Sequence, residues 1–163
     1  MGRYLSGAQR ARVWRPEELS SYQGQLLLDT HVWLWHLEDD ASRMNKRTPS
    51  LLDRSGKGDG LLVSDISWWE VAVKAAKGRL TFSVDVAVWL ARAAQAPGIR
   101  FLPLDREILF LSTRLAGTVH NDPADRMLLA TAQLRNVPLV TADKLIVDYA
   151  RTHPGTPVVD ARR

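Results

Sequence analysis

Leu26-Leu27-Leu28-Asp29-Thr30-His31 is the stretch on which the reading of the fold turns. Three consecutive apolar residues followed by a polar break describe a short buried strand. The residues after it, His31 to Glu38, place Trp and Leu side chains where a buried helix needs them. The same alternation of brief apolar run and longer amphipathic segment repeats through the chain, which predicts strands separated by helices around a mainly parallel sheet.

Downstream, a polar stretch with Arg43, Lys46 and Arg47 leads into a helix through Leu51 and Leu52, broken by Gly56, Gly58 and Gly60. Leu61-Leu62-Val63 is a second buried strand, and a helix follows from Ser67 to about Lys77, stopped by Gly78 at a C′ position. Another helix covers residues 84–94, before Pro97-Gly98. Ile99 to Leu102 gives a third strand and Asp105 caps a helix to about Ala116. Asp122-Pro123 opens a helix with Met127, Leu128, Leu129, Ala132 and Leu134 on its apolar side; Leu139-Val140, a short helix over 143–149 and an edge strand at Val158-Val159 complete the pattern. Upstream, residues 1–25 are polar and arginine-bearing with no sustained period. They predict an extension of low order, with a helical turn after Pro16, ahead of one domain over residues 26–163.

At 163 residues and 45% hydrophobic, the chain can build one sizeable core but not two. Its longest apolar runs fall far short of the roughly 20 residues needed to cross a bilayer. The N-terminus lacks the apolar centre of a secretory signal, so the expectation is a cytoplasmic protein with no membrane contact. Cysteine is absent, which removes disulfides, zinc–thiolate sites and cysteine nucleophiles together. Any metal must be held by oxygen or imidazole, and the four histidines show neither triad nor zinc spacing. The formal charge of +4, carried mostly by arginine, is compatible with phosphate-bearing partners without requiring them.

In a parallel sheet with right-handed crossovers, all strand-to-helix turns open on one edge, where ligands bind. Asp29 follows the first strand, Glu70 falls in the first turn after the second, and Asp143 lies just beyond the fourth. Asp125 falls in the first turn of the helix opened by Pro123. Four acids at one edge repel one another, and an oxygen-only donor set selects a hard cation such as Mg²⁺ or Mn²⁺. Such ions beside a phosphodiester support hydrolysis with no covalent intermediate. Each acid also has a purely structural explanation. Ser67 and Glu70 fit a capping box, Asp122 and Asp125 fit an N-cap and a dipole-favoured acid, and Asp29 and Asp143 can each end a strand or start a helix.

As an ordered set, five segments resemble the PIN-domain family, and within it the ribonuclease toxins of the VapC type. They are Leu26 to His31, Val63-Ser64-Asp65-Ile66-Ser67-Trp68-Trp69-Glu70-Val71, Lys77-Gly78-Arg79-Leu80, His120 to Ala132, and Pro138-Leu139-Val140-Thr141-Ala142-Asp143. The resemblance implies a three-layer α/β fold whose mainly parallel sheet of four to five strands is flanked by helices. It also implies a metal-dependent endoribonuclease acting as the toxin of a toxin–antitoxin pair. By motif position, Asp29, Glu70, Asp125 and Asp143 would form a pocket for Mg²⁺ or Mn²⁺, with Asp29 and Asp125 the most direct ligands. Thr30 and Thr141 would be auxiliary hydroxyls. The implied partners are an RNA substrate, a cognate antitoxin and a second copy of the chain in a homodimer. The 25 residues before Leu26 depart from the family's usual start.

Lys74, one turn beyond Glu70, and Arg79, after the helix, are candidates for an RNA-binding rim, and Lys74 equally fits an i,i+4 pair with Glu70. Arg126 is expected in a surface salt bridge. Most of the six tryptophans are expected in the core or at an interface. Two other readings fit the same residues: a PIN nuclease for RNA maturation or DNA with no toxin role, and a non-catalytic binding module whose acids only cap helices.

Overall fold

The computed structural model describes residues 13–58, 60–117 and 121–163. The first residues of the arginine-bearing extension, 1–12, and His120 of the fourth motif lie outside them. The described residues form one six-stranded sheet in the order β1-β6-β5-β2-β3-β4, with every neighbouring pair parallel. The strands are β1 Val13–Trp14, β2 Leu26–Leu28, β3 Leu61–Ser64, β4 Ile99–Leu102, β5 Leu139–Thr141 and β6 Val158–Asp160. The helices are α1 Thr30–Leu37, α2 Thr48–Gly56, α3 Asp65–Ala76, α4 Val86–Ala93, α5 Arg106–Ser112, α6 Pro123–Arg135 and α7 Lys144–Thr152.

Strand side chains alternate between two cores, one on each sheet face. Leu26, Leu28, Leu61, Val63, Val140 and Val159 pack with Val32, Trp33, Leu51, Leu52, Val71 and Leu90 from α1 to α4. Leu27, Leu62, Leu139 and Val158 pack against Ile108, Leu128, Leu129, Ile146 and Val147 from α5 to α7. Because both faces are covered, every position of β2 and β3 is buried, and all but Ser64 at the end of β3 are Leu or Val. The result is the three-layer α/β arrangement expected, with one strand more than expected.

That extra strand corrects the reading of the N-terminal extension. Val13 and Trp14 pair with Val158 and Val159, and Trp14 and Leu19 are buried in the first core. Residues 13–19 are therefore joined to the sheet and to the first core, through β1 and the 3-10 turn Pro16–Leu19 after the proline. The same pairing moves β6 from the predicted edge to an interior position.

Helix boundaries follow local chemistry. Asp122 caps α6 by accepting the Ala124 and Asp125 amides at 2.8 and 3.3 Å, Pro123 sits at the first position, and Asn136 closes the helix at φ 51°. Gly78 ends α3 with φ +68°, a conformation costly for any residue with a Cβ. The start of α3 differs from expectation: Ser64, not Ser67, is the N-cap, its hydroxyl accepting the Ile66 amide at 3.2 Å. Glu70 consequently lies in the second helical turn rather than the first. The helix after Asp105 is also shorter than expected, ending at Ser112.

Candidate active site

Asp29 leaves the end of β2 with extended backbone angles (φ −62°, ψ 152°) and occupies the N-cap position of α1, yet its side chain makes no capping hydrogen bond. Instead its Oδ2 accepts the Thr141 hydroxyl at 2.6 Å. Thr141 is the last residue of β5, the strand beside β2, and its Oγ1 also accepts the Asp143 amide at 3.0 Å. One buried hydroxyl thus ties together the ends of two adjacent strands. Asp29 is only 5% exposed. Burial pushes its carboxyl up, and the charge of Glu70 adds to this; the Thr141 hydrogen bond and nearby His31 pull partly the other way.

Asp125 lies in the first turn of α6, which packs against α3. Its carboxyl is pushed up to about 8, by burial first and then by the charges of Asp29, Asp122, Asp143 and Glu70. The three other predicted acids, from β2, α3 and the start of α7, therefore act on this one side chain across the fold. Asp122 adds to the local negative charge, but its Oδ1 is committed to backbone amides, as an N-cap requires.

Asp143 caps α7, its Oδ1 accepting the Leu145 and Ile146 amides at 2.7 and 3.3 Å. Glu70 is half-buried, and its Oε2 meets Lys74 Nζ at 2.5 Å. Its Oε1 lies 2.7 Å from the Thr30 hydroxyl, which is also 2.8 Å from Ser67 Oγ. A hydroxyl has one proton to give, and the carboxylate is the stronger acceptor. Ser67 was read as a helix cap in the sequence; it is instead fully buried beside Thr30. The true cap at Ser64 is the signal that frees Ser67 for this role.

Of the rim candidates, Lys74 is paired with Glu70 and Arg79 is exposed just after α3. Among the described residues Arg126 makes no surface salt bridge as expected of it: its Nε donates to the Ser112 carbonyl at 2.8 Å, fastening α6 to α5. The tryptophans divide as expected, with Trp33 fully buried and Trp69 facing outward at 57% exposure.

The acids that act on Asp125 offer carboxylate oxygens, a donor type that fits a hard divalent cation. Burial and mutual repulsion raise the carboxyls of both Asp29 and Asp125, which marks a place where acidic groups act on one another. Among the described residues, however, no three acidic or imidazole groups close on a common point as the side chains stand.

Known proteins are similar to this chain in sequence and in fold. The chain is 28% identical over 131 residues to Ribonuclease VapC22 of Mycobacterium tuberculosis (strain ATCC 25618 / H37Rv), a match covering 80% of this chain and 96% of the relative. Its fold is similar to a chain of VapBC2 from Rickettsia felis bound to a promoter DNA fragment, with TM-score 0.60, 13% identity, and 83% and 98% of the two chains covered. It is also similar to a chain of FitAcB from Neisseria gonorrhoeae, with TM-score 0.57, 21% identity, and 83% and 96% covered. A DNA-bound VapBC from Salmonella typhimurium gives TM-score 0.55 at 19% identity, with 84% and 98% covered. The model of the PIN domain matches residues 26–152, from the first leucine of β2 to the end of α7, and the chain belongs to that family.

Proposed function

We propose that the protein is a divalent-metal-dependent endoribonuclease and the toxin of a toxin–antitoxin pair. The observation that carries this reading is the state of Asp125, whose carboxyl is driven up to about 8 by burial and by acids from three other parts of the chain. A set of acids that served only to cap helices would not be held so close to one another at such electrostatic cost. Asp29 strengthens the point, because it occupies a cap position without capping.

In this reading Asp29 and Asp125 hold Mg²⁺ or Mn²⁺ most directly, and Glu70 and Asp143 complete the site through water or a second ion. The ion supplies Lewis-acid polarisation of the phosphoryl group and charge neutralisation. The chain's own residues do the positioning. Thr141 fixes the Asp29 carboxylate, Thr30 and Lys74 orient Glu70, and Asp143 keeps its second oxygen for water or an ion while the first caps α7. Arg79 borders the site as a rim cation for RNA phosphates, while Lys74, the other rim candidate, is engaged by Glu70.

The toxin reading is supported by the family and by the relatives, which include a VapC ribonuclease and chains from VapBC and FitAcB assemblies. The partners are accordingly RNA, a cognate antitoxin and a second copy of the chain, with action in the cytoplasm. No helix among the described residues is long and apolar enough to cross a membrane.

The test is cleavage of single-stranded RNA by purified, antitoxin-free protein in Mg²⁺ or Mn²⁺, beside Asp29→Asn. The variant should retain the fold and lose both cleavage and saturable Mn²⁺ binding in calorimetry. Equal cleavage by variant and wild type would remove Asp29 from the mechanism, and absence of metal binding in both would leave the acids as caps alone.

A further inference from the structure

We propose that the basic surface of Arg15, Lys46, Arg47, Arg162 and Arg163 is a second nucleic-acid site, which grips the phosphodiester backbone of the RNA strand on one side of the acidic site. The proposal rests on the reading of that acidic site as RNA-cleaving. In a parallel sheet the strand ends fall in a row along one edge. Following the order β1-β6-β5-β2, that row presents Arg15 after β1, Arg162 after β6, Thr141 and Asp143 at β5, and Asp29 at β2. Adjacent strands are about 4.8 Å apart, so the basic surface begins roughly 10 Å from Asp29, a few nucleotides along an extended strand.

The surface is built rather than incidental. Two hollows of about 520 and 190 Å³ share Asn45 and Arg163 in their linings. The Asn45 amide donates to the Ala161 carbonyl at 2.7 Å, locking the loop before α2 to the chain after β6, and Trp14 pairs with Val159 to bring Arg15 alongside. Asp160 accepts from Arg162 Nε at 2.8 Å and Nη2 at 2.6 Å, which holds that guanidinium in place. Arg15, Lys46, Arg47 and Arg163 are exposed. The acids lining these hollows are Glu17 and Asp160, and Asp160 is already engaged by Arg162.

Continuity with the acidic row favours an RNA backbone over an acidic protein segment. Protein interfaces are anchored by large apolar groups, and the exposed ones among the described residues, Trp69, Val88, Leu109, Phe110, Leu134 and Leu145, line neither hollow. Arg15, Arg162 and Arg163 lie outside residues 26–152 matched by the PIN domain model, and Lys46 and Arg47 lie within them.

The experiment uses the full chain carrying Asp29→Asn and fluorescein-labelled single-stranded oligouridylate, with affinity measured across a KCl series. Adding Arg15→Ser, Arg47→Ser and Arg163→Ser should weaken binding about tenfold or more and reduce the slope of log K against log salt by about 2. A control with Arg92→Ser, Arg100→Ser and Arg106→Ser has the same net charge but alters exposed arginines on α4, β4 and α5. It should bind as the parent does. Equal weakening in both triple variants, unchanged affinity in the first, or no RNA binding by the parent would overturn the proposal. Loss of poly-glutamate binding with RNA affinity intact would assign the surface to an acidic protein and overturn it as well. In the otherwise wild-type chain, the first triple variant should raise KM for the oligonucleotide while leaving dinucleotide cleavage unchanged. If the wild type cleaves neither substrate, the catalytic reading fails, and the binding series still decides the basic surface.

Discussion

The Thr141 hydroxyl donates a 2.6 Å hydrogen bond to Asp29 Oδ2, joining residues 112 positions apart in the chain. The same oxygen accepts the Asp143 amide, so one side chain sets the relative positions of two proposed metal-site acids. Thr141→Val keeps the shape and removes the hydroxyl. Mn²⁺ affinity should fall about 10- to 100-fold, as for other residues that orient a ligand from behind. The metal-free protein should lose about 1.5–3 kcal/mol, the worth of a buried hydrogen bond to a charged group. Calorimetry and urea unfolding measure the two effects, and a variant that binds Mn²⁺ like the wild type would show that Asp29 needs no such support.

Asp125 gives a pH dependence of definite sign. Its folded carboxyl is raised to about 8 from an ordinary value of 3.8, so between those limits the native state holds more protons than the unfolded chain. Stability of the metal-free protein must therefore fall as pH rises through that window. Asp125→Asn removes the penalty. It should flatten the decline and raise the melting temperature at pH 7 by roughly 2–6 °C, on the order of 1–2 kcal/mol after solvent screening, while abolishing cleavage. Thermal melts in chelator across pH 5 to 8.5 test it; a melting temperature below that of the wild type at pH 7 would contradict it.

The strands from β2 onward were readable because their apolar runs are short, continuous and separated by amphipathic helices. The places of the candidate acids Asp29 and Asp143 just after strands were readable for a related reason: the polar break after each run marks the strand end. What the sequence hid depended on distant partners. Ser64 and Ser67 are equally plausible caps in isolation, and only the length of β3, which ends at Ser64, decides between them. Val13–Trp14 is too short to carry a period, and its strand exists because β6, formed by residues 158–160, offers it an edge.

That N-terminal strand yields a stability prediction. Trp14 packs in the core at 8% exposure. Trp14→Ala should cost about 3–5 kcal/mol, as for other large-to-small core changes involving aromatic residues. Deleting the chain through Leu19 should expose the edge of β6 and promote association, since an unpaired apolar strand is a template for pairing. Urea unfolding checks the first effect and light scattering the second. An unaltered midpoint for Trp14→Ala would mean that residues 13–25 add nothing to the domain.

Lys74 sits between two roles, and its geometry separates them. The Lys74–Glu70 side chains are 25% and 16% exposed, more sheltered than an ordinary surface pair. If Lys74 acts by orienting Glu70, Lys74→Gln should lower kcat severalfold, leave KM for RNA near its wild-type value, and cost about 1 kcal/mol of stability. If it gripped phosphate directly, KM would rise instead and the salt dependence of binding would weaken. The 2.5 Å contact predicts the first pattern, because an ammonium held by a carboxylate is already partly neutralised before RNA arrives. Arg79, exposed at the end of α3, should show the opposite split, with Arg79→Gln raising KM at constant kcat. Steady-state kinetics on one RNA substrate distinguishes the two cations, and a Lys74→Gln effect confined to KM would place it on the rim with Arg79.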